Sequence, residues 1–420
     1  MDWDSLDNYA YLNPRLPALD ATRLRSLLEA VSEQFRAHVF LLSSGTTGGA
    51  GQDLKWVALS KAALLTSAME VNRHLGSDTG IVHSELNNKD SKNKNSKKNK
   101  SKDVWLHVLP DFHVGGLGIR ARAHLSGAKV VRLAHWDPRE FVTQVSNHSA
   151  TLASLVPAQV YDLVHDGWRS PVSLRAVLVG GGALAPSLRL KACQLGWPLL
   201  ITYGMTEASS QIATSPRSTW NSSRESLGSV SNSVSISVSG DSESCNASGS
   251  SESTELELLP HWAARAGADG KIQIRGDSLF TAYVYSGPRG EPVVWAPLED
   301  GWFTPQDRVT LRGRTLQILG RTQDFIKIGG ESVDLGRLQL VLENIRLELD
   351  LVSDLALIAA PDARLGHVVH LVSDQSLTQE AGSGVLEIFN QRVVAFERIR
   401  KWTQLVSLPR TSLGKLILTR

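Results

Sequence analysis

The stretch His38-Val39-Phe40-Leu41-Leu42-Ser43-Ser44-Gly45-Thr46-Thr47-Gly48-Gly49 decides how the chain is read. Five residues suited to a buried strand run straight into a loop of hydroxyl side chains and glycines. Upstream, Ala21–Ala37 places Leu24, Leu27, Leu28, Val31 and Phe35 at helical spacing and predicts a helix. Downstream, Val104–Leu109, Leu152–Val156 and Ala176–Val179 repeat the strand-and-turn pattern, with helices expected over Pro138–Ser146 and Ala158–His165. Short apolar strands alternating with helices predict an α/β fold of mostly parallel sheets flanked by helices. Such sheets take ligands at the loops leaving the strand ends.

Composition narrows the class. At 420 residues the chain is long enough for two or three domains, and 42% hydrophobic with 20% charged residues is ordinary for a soluble globular protein. A formal net charge of +2 supplies no field that would draw nucleic acid or an acidic membrane. Two cysteines, Cys193 and Cys245, make neither a disulfide framework nor a metal signature. The first residues are acidic and broken by prolines, unlike a signal peptide. No run approaches the roughly 18 apolar residues that span a bilayer. A cytoplasmic protein without nucleic-acid partner or membrane insertion is expected; a homodimer stays open.

Two segments interrupt the pattern. Asn87–Asp103 is nearly all Lys, Asn, Ser and Asp and reads as a solvated insertion. It lacks the arginines and aromatics that nucleic-acid recognition favours. Ser215–Thr254 is serine-rich yet alternates at Val230, Val234, Ile236 and Val238, which suggests strands. Lys271–Leu319 reads as β throughout. After Gly320 the pattern becomes α+β, with helices expected at Gly336–Leu349 and Gly384–Arg400 and strands at Leu355–Ala360 and Val368–Val372. The expected division is a large domain over residues 1–320, with an insertion at 87–103 and a β-rich part from about 215 to 320, and a small domain over 321–420.

Several short motifs suggest chemistry. In Ser43–Gly49 small residues let backbone close on phosphate oxygens, and hydroxyls and N–H groups donate to them. No Gly-Lys-Ser/Thr follows, so it is not a Walker loop, and a plain connection is the bland alternative. Gly180-Gly181-Gly182-Ala183 would let a flat base approach backbone, or is simply a tight turn. Tyr203-Gly204-Met205-Thr206-Glu207 offers an aromatic for a purine, a hydroxyl for phosphate and a hard oxygen for a nucleotide-bound Mg²⁺. Asp307, in Asp300-Gly301-Trp302-Phe303-Thr304-Pro305-Gln306-Asp307, can accept from two ribose hydroxyls. Gly320–Glu331 and Leu408-Pro409-Arg410-Thr411-Ser412-Leu413-Gly414-Lys415 complete the series, the last presenting a lysine as a point charge for a negative transition state.

In this order the motifs resemble the acyl-adenylate-forming superfamily of acyl-CoA synthetases, adenylation domains and luciferases, from about Leu41 to the C-terminus. Leu109–Gly116 (LPDFHVGG) and Ser154–Gln159 (SLVPAQ) are similar to the 2-succinylbenzoate–CoA ligases of menaquinone synthesis. The resemblance implies ATP and Mg²⁺ as cofactors, coenzyme A as co-substrate and a small carboxylic acid as substrate. It implies that Thr46 and Thr47 hold phosphates and that Gly181, Gly182 and Tyr203 frame adenine, with Ser44, Gly45, Gly48, Gly204 and Met205 also binding the nucleotide. Thr206 would contact phosphate, Glu207 the metal, Asp307 and Arg321 the ribose. Lys415 would be the adenylation lysine, His113 would line the acyl pocket, Asp324 would be the hinge, and Gly329 and Gly330 would face CoA. A packed core histidine is the alternative for His113.

Departures qualify the match. The phosphate loop runs on through Gly49-Ala50-Gly51-Gln52-Asp53-Leu54-Lys55 where the family has Pro-Lys-Gly, leaving Lys55 as the candidate replacement. The ribose motif has one residue more than Thr-Gly-Asp. Only 42 residues precede the loop, so the outer part of the large lobe is expected to be reduced. Competing readings are a ligase for another acid and an inactive nucleotide-binding relative. An acid with a second carboxylate calls for a cation in its pocket, for which Arg120, Arg122 and Arg175 are candidates.

Overall fold

A computed structural model of the chain describes residues 1–14, 18–42, 55–77, 102–216, 255–287, 289–321, 325–328, 331–362 and 365–408. The expected strands around Val230–Val238 and residues 87–101 of the polar insertion lie outside them. Among the described residues no helix is long and apolar enough to cross a membrane.

The largest sheet is built on β4 (Val104–His107), β5 (Lys129–Arg132), β6 (Leu152–Leu155), β7 (Ala176–Val179) and β8 (Leu199–Met205), parallel in the order β5-β4-β6-β7-β8. Every residue of β6 and β7 is buried, the pattern of strands covered on both faces. Antiparallel strands β9 (Ser210–Thr214) and β10 (Leu256–Leu258) and the hairpin Asp307–Arg312/Thr315–Arg321 extend the sheet beyond β8. Helices α2 (Lys61–Leu75), α3 (Val114–Ser126), α4 (Pro138–Asn147), α5 (Pro157–His165) and α6 (Pro186–Gln194) complete this region. Their ends follow local chemistry. Ser60 and Asp137 cap α2 and α4 through side-chain oxygens, and Gly76 and Gly127 close α2 and α3 in the left-handed region.

A second sheet joins β1 (Tyr9–Tyr11), β2 (His38–Leu42) and β3 (Trp56–Ser60) to the strands Ala282–Ser286 and Pro292–Trp295. The first helix, α1 (Ala18–Val31), ends earlier than Ala37; a single 3-10 turn follows, and Ala37 takes φ +57° to swing the chain into β2. In the C-terminal part, helix Leu335–Glu348 and strands Leu355–Asp362 and Gly366–Asp374 sit close to expectation. The last helix does not. It spans Gln379–Arg392, and the chain then forms strand Ile399–Leu405, parallel to Gly366–Asp374. Ile399 on that strand is buried in a core of its own with Ile328, Val333, Leu338, Leu342, Leu371 and Phe389. Asp103 is also misread as part of a solvated insertion. It is buried, paired to Arg175 at 2.6 Å and hydrogen-bonded by Ser77 and Thr151.

The C-terminal helix Leu335–Glu348 rests on the larger region. Ser187 donates to Asn344, Lys191 Nζ to the Leu347 carbonyl at 3.2 Å, and the Arg346 guanidinium lies 4.2 Å from the Tyr161 ring centroid. At the opposite end of the sequence, the buried Lys61 Nζ gathers the carbonyls of Asp2 and Ser5, both at 2.7 Å, and the Ser5 hydroxyl at 3.0 Å. Lys61→Met strips three donors from this cluster and leaves carbonyls unserved, so it should lower stability by about 2–4 kcal/mol. Urea unfolding checks this; an unchanged midpoint would show that the cluster contributes nothing.

Candidate functional site

Adjacent strand ends gather the candidate residues. β7 stops at Val179 and β8 runs on beside it, so Gly180 lies against Thr202: a Cβ at Gly180 would sit 2.6 Å from the Thr202 hydroxyl oxygen. Gly181 takes φ +79°, which a side chain would strain. The next residue of β8, Tyr203, donates its hydroxyl to the buried Asp307 Oδ2 at 3.0 Å. Asp307 opens its own strand and pairs in register with Arg321. Tyr203, Asp307 and the backbone of Arg321 therefore meet although they are far apart in sequence.

The turn after β8 is tightly constrained. A Cβ at Gly204 would lie 1.8 Å from the Ser210 carbonyl oxygen, and the β8–β9 register shifts between Tyr203 and Gly204. Met205 pairs with Ser210, and Thr206–Ala208 forms one 3-10 turn closed by the Ser209 N–H donating to Thr206 O at 3.0 Å. Ser209 (φ +51°) and Ser210 (φ +118°) both occupy the left-handed region, a strain that clusters at functional sites. Glu207 projects from this turn. Its Oε1 accepts from the Tyr283 hydroxyl at 2.8 Å, and its carbonyl accepts from Phe280 N–H at 2.8 Å. Lys55 Nζ lies 3.7 Å from the centroid of the same Tyr283 ring. Burial lowers the Lys55 pKa, and Glu207 offsets this only in part.

Among the described residues no three His, Cys, Asp or Glu side chains cluster to hold a metal. One carboxylate, as at Glu207, fits a hard cation whose remaining ligands are phosphate oxygens and water, the habit of Mg²⁺ bound to a nucleotide.

Helix α3 presents the other candidates. His113 is its N-cap residue; its ring lies 4.5 Å from that of Phe112 and its buried Nε2 has no partner. Burial lowers its pKa to about 4, so the imidazole is neutral at physiological pH. The three arginines now separate. Arg175 is tied to Asp103, and Arg120 to Asp111 at 3.2 Å and Tyr11 at 3.3 Å. Arg122 is fully buried, and no carboxylate among the described residues pairs with it. One terminal nitrogen donates to Ser210 Oγ at 3.1 Å, while its buried Nε has no partner. Gly118, one turn earlier, leaves room for it: a Cβ there would lie 3.1 Å from the guanidinium. Burial lowers the Arg122 pKa to about 10, still charged at neutral pH.

Ser44, Gly45, Thr46, Thr47, Gly48, Asp324, Gly329, Gly330 and Lys415 lie outside the described residues. Tyr283 and Ser210 were not singled out in sequence. Tyr283 sits in an aromatic-rich strand where nothing local marks it, and Ser210 follows the motif without a distinguishing neighbour.

Residues 27–284 match the family described as AMP-binding enzyme. A 2-succinylbenzoate–CoA ligase of Staphylococcus epidermidis is 27% identical over 316 residues, 74% of this chain and 60% of that protein. One from Staphylococcus aureus is 23% identical, over 74% of this chain and 57% of its own length. The chain thus spans about three fifths of these curated relatives. The o-succinylbenzoate CoA synthetase of Bacillus subtilis, solved with the acyl-adenylate intermediate, superposes with a TM-score of 0.67 at 24% identity, over 90% of this chain and 67% of the other; the likeness is one of fold.

Two expected outcomes follow from the geometry. Gly204→Ala forces backbone apart at the β8–β9 turn and should cost about 3 kcal/mol or more; a thermal melt indistinguishable from the parent would contradict it. Partly buried His113 and His261, with shielded ring nitrogens, both have pKa values lowered by burial to about 4 from 6.5, so between those values the unfolded chain binds more protons. The contribution of these two histidines is complete above pH 6.5 and is lost as the pH drops toward 4. His261→Asn should flatten that fall in melting temperature; an unaltered slope would rule His261 out as a contributor.

Proposed function

The chain belongs to the AMP-binding enzyme family, and from that premise we propose that it is an ATP-dependent 2-succinylbenzoate–CoA ligase. The observation that supports the acid most directly is Arg122, a buried cation with no acidic partner among the described residues. A buried cation offset only by the Ser210 hydroxyl and the Trp105 ring face 5.7 Å away is costly, so an anion supplied by the ligand accounts for it. 2-Succinylbenzoate has one carboxylate to activate and a second for Arg122 and Ser210 to hold. The curated relatives of that name, and a solved relative holding the adenylate, support the same reading.

The reaction divides in two. A carboxylate oxygen of the acid attacks the α-phosphorus of ATP and pyrophosphate leaves. The CoA thiol then attacks the acyl carbon, AMP leaves and the thiol proton passes to solvent. In this reading Ser44, Gly45, Thr46, Thr47, Gly48 and Thr206 bind phosphate oxygens, and Gly181, Gly182, Tyr203, Gly204 and Met205 form the adenine seat. Asp307 and Arg321 orient the ribose, and Asp307 is held for it by the Tyr203 hydroxyl. Glu207 binds the magnesium ion, which neutralises phosphate charge. Lys415 stabilises the charge that gathers during adenylation, and neutral His113 lines the acyl side without exchanging a proton at physiological pH. Residues from about 321 onward act as a lid turning on Asp324, so that Gly329 and Gly330 reach the site for the second step.

The test is pyrophosphate exchange into ATP with a panel of acids. 2-Succinylbenzoate should drive exchange, and Arg122→Gln should raise its KM roughly 30-fold or more, the effect of about 2 kcal/mol from losing a buried charged partner. Aryl acids with a single carboxylate should respond far less. Equal loss for both acid types would remove Arg122 from the role, and no exchange with any acid would overturn the ligase reading.

A further inference from the structure

Lys55 and Glu207 border different sheets, and one side chain touches both. Tyr283 sits on the strand Ala282–Ser286, which pairs with β3 so that Tyr283 faces Val57 across the ladder. Lys55 lies two residues before Val57, so its stem leaves the same face and can cross diagonally onto the Tyr283 ring. The ring cannot swing away. It is 4% exposed, with Phe280 at 4.6 Å and Trp295 at 5.9 Å between ring centroids. Its hydroxyl meets Glu207 Oε1 at 2.8 Å, and the Phe280 N–H holds the Glu207 carbonyl, so strand and acidic turn are fastened at two points.

We propose that Tyr283 is a positioning residue that holds a phosphate-facing cation, Lys55, on its ring face and the metal-facing carboxylate, Glu207, at its hydroxyl edge. This rests on reading Lys55 and Glu207 as nucleotide-side groups. The ring keeps the ammonium from collapsing onto the carboxylate, which would neutralise both and leave neither for ligand. It also links them. A hydroxyl donating to an anion enriches the ring in π density, and a richer face holds a cation more strongly. Outside the first ligands of a metal, such hydrogen-bond partners fix the orientation of the binding oxygen.

Two substitutions separate the two tasks. Tyr283→Phe keeps the ring and removes the hydroxyl; Tyr283→Leu removes both. ATP binding is measured by calorimetry with and without magnesium chloride, beside magnesium titrations of pyrophosphate exchange and thermal melts. Tyr283→Phe should raise the half-saturating magnesium concentration about tenfold, with metal-free ATP affinity within about twofold of the parent because Lys55 keeps its seat. Tyr283→Leu should in addition weaken metal-free ATP binding about fivefold. An unchanged magnesium requirement in Tyr283→Phe, or identical metal-free affinities in the two variants, overturns the proposal while leaving the ligase reading intact. If Tyr283→Leu does not fold, the magnesium requirement of Tyr283→Phe decides alone. If the parent protein binds no ATP, the nucleotide reading and this inference fall together.

Discussion

The near-contact of two backbones at Gly204 governs the candidate site. Ser210 O occupies the place of the missing Cβ, so β8 and β9 can close only if that residue is glycine. This closeness coincides with the register shift beside Tyr203 and the left-handed serines at 209 and 210. From that short turn, Tyr203 points toward Asp307 on one side and Glu207 toward Tyr283 on the other. A looser hairpin would still be a hairpin, but it would not present an aromatic and a carboxylate to different partners within five residues.

The wider architecture puts that turn where it is useful. Parallel strands buried on both faces have no choice but to expose function at their ends, and Gly180 and Tyr203 both lie just past the last paired residues of β7 and β8. Helix α3 feeds the other wall. Its Gly118 gives up a side chain so that Arg122 can lie buried against β9, which gives a helix glycine, otherwise a weakness, a packing role.

Much of this was legible in sequence, for identifiable reasons. β2 and β7 fall where expected because buried strands are unbroken apolar runs, and Tyr203, Glu207 and Asp307 stand in motifs that order alone made recognisable. Boundaries failed where local preference met a tertiary demand. The apolar spacing of 384–400 looked helical throughout, yet Ile399 goes into a sheet because a neighbouring strand offered unpaired backbone and a core. Asp103 looked like the end of a polar tract, and distant partners, above all Arg175 seventy-two residues away, explain its burial. Partnership of this kind has no local signature, which is also why three arginines were equal candidates until two of them proved to have acids.

Ser210 stands in two neighbourhoods at once. Its hydroxyl takes a hydrogen bond from Arg122, and its carbonyl presses on Gly204, three residues before Glu207. On the proposed reading, an anion held by Arg122 would tug on that serine and, through a backbone already near its steric limit, on the acidic turn. Acid and nucleotide should then report on one another's occupancy, each altering the other's grip by the same factor as reciprocal linkage demands. Cooperativity between two small molecules would here need no moving domain, merely a crowded peptide bond shared by both seats.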